Sequence, residues 1–514
     1  MSQFNLIHEK WIPVRFSDGT RDELGIRDTL LRAKEITAIE DQSPLVVAAL
    51  HRFLLAVLYR ALEGPTDIEQ AKELFRKGLP HEKITAYLEK WHDRFWLFNE
   101  KYPFEQISGF NPKEWKAWTK LTAEHNAENA KVLFDHIDVK KPFPLSFATT
   151  ARCLLAAQTF DLAVAKSEFV QPLDAPSARA VFFIVVGNNL HDTLCFCLKP
   201  QAKHISKQDS AQWEVTPDTA KLLKSGKGKV ISGYSDLYTW RSRSVILKDG
   251  GHRKICTLGF ASGVSVANDG PFIDPMLCYH EKQDSGLAPF KFREDKDFWR
   301  DFDSLLPGGT SRSPLVVENA VLLCESVSGR WPLGVLVCGQ KTKSGQAKVD
   351  FWRHLFFALP KALPGMADVK SEIQSILVIV EEAGRALHSA LEIFQQHVLI
   401  RDRPTPLNKN EKKKIRQIVD STGQLHLFWA TMESHFHQIL QEYTLDRGLD
   451  EIRQQWLIFV KNAIEQAWEQ HRVSISTGDA WAIRALVKSE GPIRAKLKKL
   501  NDEIRNLEPQ EKST

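Results

Sequence analysis

The sequence predicts an α+β protein, with a large mixed N-terminal domain of antiparallel strands and buried helices followed by a C-terminal four-helix bundle. Three observations predict it. Helical apolar periodicity fills much of the first hundred residues, short β-branched and aromatic runs replace it from about residue 178, and after Pro364 the apolar steps return to three, four or seven. The 514 residues also exceed what one compact core serves, so two domains are expected, at 1–364 and 365–507.

In chain order, residues 4–15 alternate apolar and polar positions before Ser17-Asp18-Gly19-Thr20 turns the chain, which predicts a hairpin of two short strands. Residues 45–62 and 84–98 follow helical spacing and read as buried helices. The runs 181–186, 193–198, 245–247, 316–323 and 334–338 are β-branched or aromatic and read as strands. Beyond them Ile373, Leu377, Val380, Leu387, Leu391, Phe394 and Val398 write one face of a long helix. A second stripe is Leu425, Trp429, Met432, Phe436 and Leu440, a third is Leu449, Ile452, Trp456, Phe459 and Ala463, and a fourth runs from Trp481 past Gly491 to Leu500. Four amphipathic helices with short connections make a bundle. Residues 401–416, with Pro404, Pro406 and Lys412-Lys413-Lys414, interrupt the first two stripes as a polar loop or short helix.

Composition narrows the function classes. Gly and Pro are near average and no long stretch lacks apolar residues, which argues against a disordered or fibrous chain. No run of about 18 apolar residues and no basic leader with an apolar run occurs, so a soluble cytoplasmic protein without a membrane partner is expected. The seven cysteines are scattered without a CxxC pair, which fits a reducing compartment and offers no zinc knuckle. The 69 Lys and Arg against 64 Asp and Glu leave a formal charge of +5, which permits a nucleic-acid partner without requiring one.

Positive signs of catalysis are missing. His92-Asp93 and His191-Asp192 are the dipeptides of HD-type metal-dependent nucleases, but neither lies in a ladder of further ligands, and both read as solvated surface residues. Cys195 and Cys197 share one face of an expected strand with no second ligand pair. GxxxxGK[ST], GxGxxG, GxSxG and HExxH are all absent, so no catalytic residue, cofactor or metal is expected. The loop 339–348 stands out, because its lysines suit phosphates and its amides suit base edges or a base step, although a solvated hairpin tip has the same composition.

Several segments occur in the order of a known family. They are Asn5-Leu6-Ile7 with Trp11-Ile12-Pro13-Val14, Asn99-Glu100-Lys101-Tyr102-Pro103-Phe104, Leu133-Phe134-Asp135-His136, residues 233–243 (Gly233 through Tyr238 and Trp240 to Arg243), and Gly345-Gln346-Ala347 with Arg353-His354. Over nearly its whole length the chain resembles the CasA family, the large subunits of type I-E CRISPR Cascade complexes. That resemblance implies a non-catalytic subunit that works with the other Cascade subunits and the CRISPR guide RNA. It would recognise the protospacer-adjacent motif (PAM) in double-stranded target DNA, start R-loop formation and help dock the CRISPR helicase-nuclease.

The resemblance also implies roles for particular residues. Gln346, between Gly345 and Ala347, would be wedged under the first target base pair, with Lys343 and Lys348 beside it for phosphates. Lys282 falls where the family has a minor-groove lysine, and Phe134 on a loop near the PAM that contacts the rest of the complex. Residues 160–167, with Ala163 and Ala165, replace a glycine-rich loop that brings backbone close to the PAM. Paired CxxC zinc ligands found in some members are absent here. From charge alone, Lys488, Arg494, Lys496, Lys498 and Lys499 face only Glu490 and form a basic strip suited to a DNA strand, although a plain solvated helix face has the same composition. The competing readings are an HD-type nuclease and a scaffold whose loop never touches DNA.

Overall fold

The computed structural model describes residues 3–122, 142–163, 169, 174–217, 220–267, 272–282, 286–306, 311–326, 330–343, 349–361, 367–401, 406–443, 447–476 and 478–507. The chain forms two compact units, residues 1–296 with 304–357, and residues 297–303 with 358–514. The α+β class and the antiparallel pairing are as expected from the sequence.

In the first unit, β1 (Ile12–Phe16) pairs antiparallel with β2 (Arg21–Leu24) and β3 (Ile36–Ile39). The turn between the first two is closed by Asp18, whose carboxylate accepts the Thr20 N–H at 2.9 Å and its hydroxyl at 2.7 Å. Further on come β4 (Lys116–Ala117), β5 (Leu145–Ser146), β6 (Val181–Val186), β7 (Arg243–Asp249), β8 (Lys254–Ser262), β9 (Tyr279–Lys282), β10 (Gly286–Pro289), β11 (Gly334–Thr342) and β12 (Val349–Ala358). β8 pairs with β4, β5 and β7; β9 and β10 form a hairpin; β11 lies between β6 and β12.

The central helix Pro44–Leu62 starts with proline at its first turn and Ser43 as cap, and every residue from Pro44 to Tyr59 is buried. It is long and apolar enough to cross a bilayer, yet 89% of its apolar window is buried inside the protein, with Arg52 at its middle held by Asp274.

Two expected strands are helices. Residues 193–197 belong to the helix Leu190–Cys197, whose N-cap Asn189 accepts the Asp192 N–H and whose C-cap is Leu198, and residues 316–323 belong to the helix Leu315–Ser326. In the first helix every residue is buried, which erases the period that tells helix from strand; the second keeps an exposed side at Leu322 and Glu325, and its β-branched Val316, Val317 and Val321 suggest a strand. Asn319 on the second helix donates to the Cys195 and Phe196 carbonyls at 3.3 and 2.9 Å, a polar tie that only the fold supplies. The expected helix 84–98 ends earlier, at Lys90, because the Leu6 and Leu97 N–H groups instead bond the Phe95 and Phe4 carbonyls.

In the second unit the first stripe forms the helix Ala367–Ile400, the second Gly423–Glu442 and the third Leu449–Ser474. The fourth stripe divides into Ala480–Ser489 and Gly491–Leu507, since Pro492 cannot donate to a continuing helix. Residues 401–416, read as a polar loop or short helix, contain the start of the helix Lys409–Asp420. Residues 297–303 complete this unit's core. Trp299 packs against Phe436 with ring centroids 5.4 Å apart, and Arg300 lies 3.5 Å over the Trp429 ring while pairing with Glu381 at 2.7 Å.

Candidate nucleic-acid interface

β6 and β11 are antiparallel in a register running from Gly334↔Val186 to Gly339↔Val181, so the last residues of β11 extend past the start of β6. Gly339 is required at this crossing, because a Cβ there would stand 2.7 Å from the Ala180 carbonyl oxygen. The chain before β9 is also antiparallel to β6, through the bridge of Phe182 with Leu277, and the Phe290 carbonyl after β10 accepts the Val181 N–H at 3.1 Å. The β9–β10 hairpin therefore leaves the sheet at the same end as β11. Its base is pinned from the central helix. Arg52 pairs with Asp274 at 2.6 Å and stacks between Phe182 and Tyr238, while Asp274 accepts the Met276 N–H.

A third segment is fastened to the same end. Gln340 and Thr342 are two apart on β11 and so share a face. The Gln340 amide donates to the Phe160 and Ala178 carbonyls at 2.5 and 2.9 Å. The Thr342 hydroxyl accepts from Arg179 at 2.5 Å; Arg179 also donates to Asp174 at 2.5 Å, and Asp174 in turn accepts the Ala163 N–H at 2.8 Å. Burial pushes the Asp174 carboxyl up, but the Arg179 and Ala163 donors outweigh it and hold its pKa below the ordinary value. Behind this clamp, Arg243 donates to the Asp161 carbonyl at 2.6 Å and pairs with its carboxylate at 3.3 Å. Burial lowers the Arg243 pKa, against the pull of Asp161 and Asp174.

Residues 233–243 do internal work. A Cβ on Gly233 would sit 2.4 Å from the Asp209 carboxyl, whose oxygens accept the Ser235 and Asp236 N–H groups at 2.8 and 3.0 Å. The Trp240 indole donates to the Val264 carbonyl at 3.0 Å.

A profile of the CRISPR-associated protein Cse1 family matches residues 5–467. The chain belongs to that family. It is 32% identical to the CRISPR-associated protein CasA/Cse1 of Thermus thermophilus, over 98% of this chain and 99% of that one. The solved structure of Thermus thermophilus CasA (Cse1) superposes with a TM-score of 0.82 at 29% identity, covering 97% and 100% of the two chains. A chain of a structure described as a CRISPR RNA-guided surveillance complex shares the fold, with a TM-score of 0.73 at 18% identity over 98% and 100%. The family read from the sequence motifs is thus the family found.

Within this Cse1-family fold, Lys282 is the last residue of β9, Ala163 is held by Asp174, and Lys343 stands exposed one residue beyond β11, 3.9 Å from Asp350. These three come together at one end of the β6–β11 sheet. Gln346, Gly345, Ala347, Lys348, Phe134 and Ala165 lie outside the described residues. Arg179 and Asp174 escaped the sequence reading, and Gln340 and Thr342, expected in the loop 339–348, belong instead to β11 with their side chains buried, so the Gln340 amide serves the fold and not a base edge.

Two expectations need correction. His191 and Asp192 are buried rather than solvated: Asp192 bonds His191 at 2.9 Å and pairs with Arg330, which lies over Phe75. Burial raises the Asp192 pKa, and those two partners more than reverse it. Among the described residues no three His, Cys, Asp or Glu side chains are placed to share a metal ion. The expected basic strip is largely neutralised. Lys496 is buried and pairs with Glu382 at 2.9 Å, Lys499 pairs with the same carboxylate at 3.0 Å, and Arg494 pairs with Glu490. Those two lysines pull the Glu382 pKa down to about 2.

Proposed function

We propose that the protein is the non-catalytic large subunit of a type I-E CRISPR RNA-guided surveillance complex in the cytoplasm. In this role it recognises the PAM in duplex DNA, opens the first target base pair and helps recruit the helicase-nuclease. The observation that carries this reading is the convergence of the β9–β10 hairpin, the end of β11 and the segment at Ala163 on one end of a sheet. A wedge works only if its base does not yield. Unstacking a base step costs a few kcal/mol, recovered as guide RNA pairs with the released strand, so the exchange is near balance and a compliant wedge would forfeit it. The bonds of Arg179 and Gln340 give the end of β11 that stiffness. A lysine suits the minor groove, whose pattern of acceptors is degenerate, and so suits a permissive reader.

The test compares wild type, Gln346→Ala and Lys282→Ala in the reconstituted guide-RNA complex with a PAM-containing duplex at fixed salt. Gln346→Ala should block strand opening, and Lys282→Ala should weaken PAM-dependent binding about tenfold, the worth of one good groove contact. Full affinity and full opening in both variants would return the chain to a scaffold role.

A further inference from the structure

Among the described residues of the helical unit, the helix Lys409–Asp420 carries the densest run of unpaired positive charge. It is a firmly specified helix. The Asn408 side chain accepts the Asn410 and Glu411 N–H groups at 2.9 and 3.0 Å, the Glu411 carboxylate accepts the Asn408 N–H at 2.9 Å, and Ile415 and Val419 are buried. At 3.6 residues per turn Lys409, Lys412, Lys413 and Arg416 fall within about 100° of arc beside that buried face. All four are exposed, as is Lys414, and none has an acidic partner among the described residues. The helix's own acids are engaged elsewhere, Glu411 in the cap and Asp420 with His388 at 3.1 Å. The contrast with the last helix is sharp, since Arg494, Lys496 and Lys499 are each paired with a carboxylate.

We propose that this stripe is a second, sequence-independent contact, for the phosphodiester backbone of a DNA strand, on the helical unit. It goes beyond the PAM-reading end of the first unit and rests on the proposed function only in taking DNA as the polyanion that the complex handles. Three features select nucleic acid over an acidic protein. Three of the four cations in the stripe are lysines, which are depleted at protein–protein interfaces and serve phosphates as point charges. The stripe itself presents no apolar anchor. Its length, about 10 Å at 1.5 Å rise per residue, matches about three phosphates of one strand spaced 3.4 Å along a duplex axis.

The test uses the full chain with the stripe neutralised by Lys409→Gln, Lys412→Gln, Lys413→Gln and Arg416→Gln together. Fluorescence anisotropy against oligo(dT) and against a duplex without a PAM is followed over a salt series. Glutamine keeps helix propensity, and circular dichroism confirms the fold. The expected result is affinity reduced at least tenfold at low salt and a salt slope shallower by about 2 on the single strand (three contacts at about 0.7) or about 3 on the duplex (three at about 0.9), with the larger loss of affinity on the DNA form that uses the stripe. A companion variant with arginine at the three lysine positions should keep the wild-type slope. The proposal is overturned by an unchanged slope on both DNAs, by wild type showing no salt-dependent binding to either, or by the arginine variant losing binding as the glutamine one does. Neither DNA carries a PAM or pairs with a guide RNA, so these curves report the stripe and not the wedge, and failure of the stripe and failure of the wedge are separate results.

Discussion

In the unit that carries the sheets, the central charges are buried with their partners. Arg52 and Asp274 have side chains only 3% and 2% exposed, and Arg243 is 1% exposed beside Asp161. In the helical unit the interior is mostly aromatic and aliphatic, from Trp456 to Phe436 and Ile376, and, apart from the buried Lys496, cations such as Lys499, paired with Glu382, stand at the rim. The difference teaches where each unit is vulnerable. A cation removed from the first strands an anion away from water, whereas most cations removed from the second are replaced by solvent. It also teaches why the first unit can hold three chain segments in fixed relation, since a buried guanidinium bonds several backbone carbonyls at once, as Arg243 does.

The sharpest way to break that comparison is Arg52→Ala. Leaving Asp274 buried and unpaired should destabilise the first unit by about 3–5 kcal/mol in urea unfolding, and a loss below about 1 kcal/mol would contradict the contrast. Arg179→Ala comes next. It removes partly exposed bonds to Asp174 and Thr342 and should cost about 1–2 kcal/mol while speeding hydrogen exchange at the Ala163 amide, which Asp174 orders. Unchanged exchange at Ala163 would mean that Arg179 does not hold that segment. The smallest effect belongs to the rim, where Lys499→Ala should cost about 0–1 kcal/mol by the same unfolding measurement.

Glu382 adds a pH signature to the helical unit. Its folded pKa, about 2, lies below the ordinary 4.5 because Lys496 and Lys499 bond its charged form. Its stabilising contribution is therefore fully present above pH 4.5 and is lost as pH falls towards 2. Unfolding of Glu382→Gln should vary less over that window than wild type, and parallel profiles would show the pair to be inert.

How much of this could be read from the sequence follows from burial. The bundle stripes were legible because each helix buries one face and wets the other, so Ile373 to Phe394 kept a clear period. The helix Leu190–Cys197 was misread as a strand because burial of every residue left only an apolar run, and Leu315–Ser326 because its β-branched Val316, Val317 and Val321 outweighed the exposed positions Leu322 and Glu325 in a short window. Lys343 and Lys282 were legible as loop and hairpin lysines by composition and family resemblance. The clamp behind them was not, because Arg179 meets Thr342 across 163 residues and no local pattern records that distance. For the same reason the strip at Lys496 looked free in sequence, its neutralising carboxylate being 114 residues away.

The central claim, that the end of β11 faces the PAM, is tested most directly by cross-linking. A photoreactive phenylalanine analogue is placed at position 343, where the exposed side chain sits one residue past the strand, and the reconstituted guide-RNA complex is irradiated with a labelled duplex. The account predicts cross-links to nucleotides at and next to the PAM that vanish when the PAM is scrambled. Cross-links to protein alone, or to DNA regardless of the PAM, would contradict it.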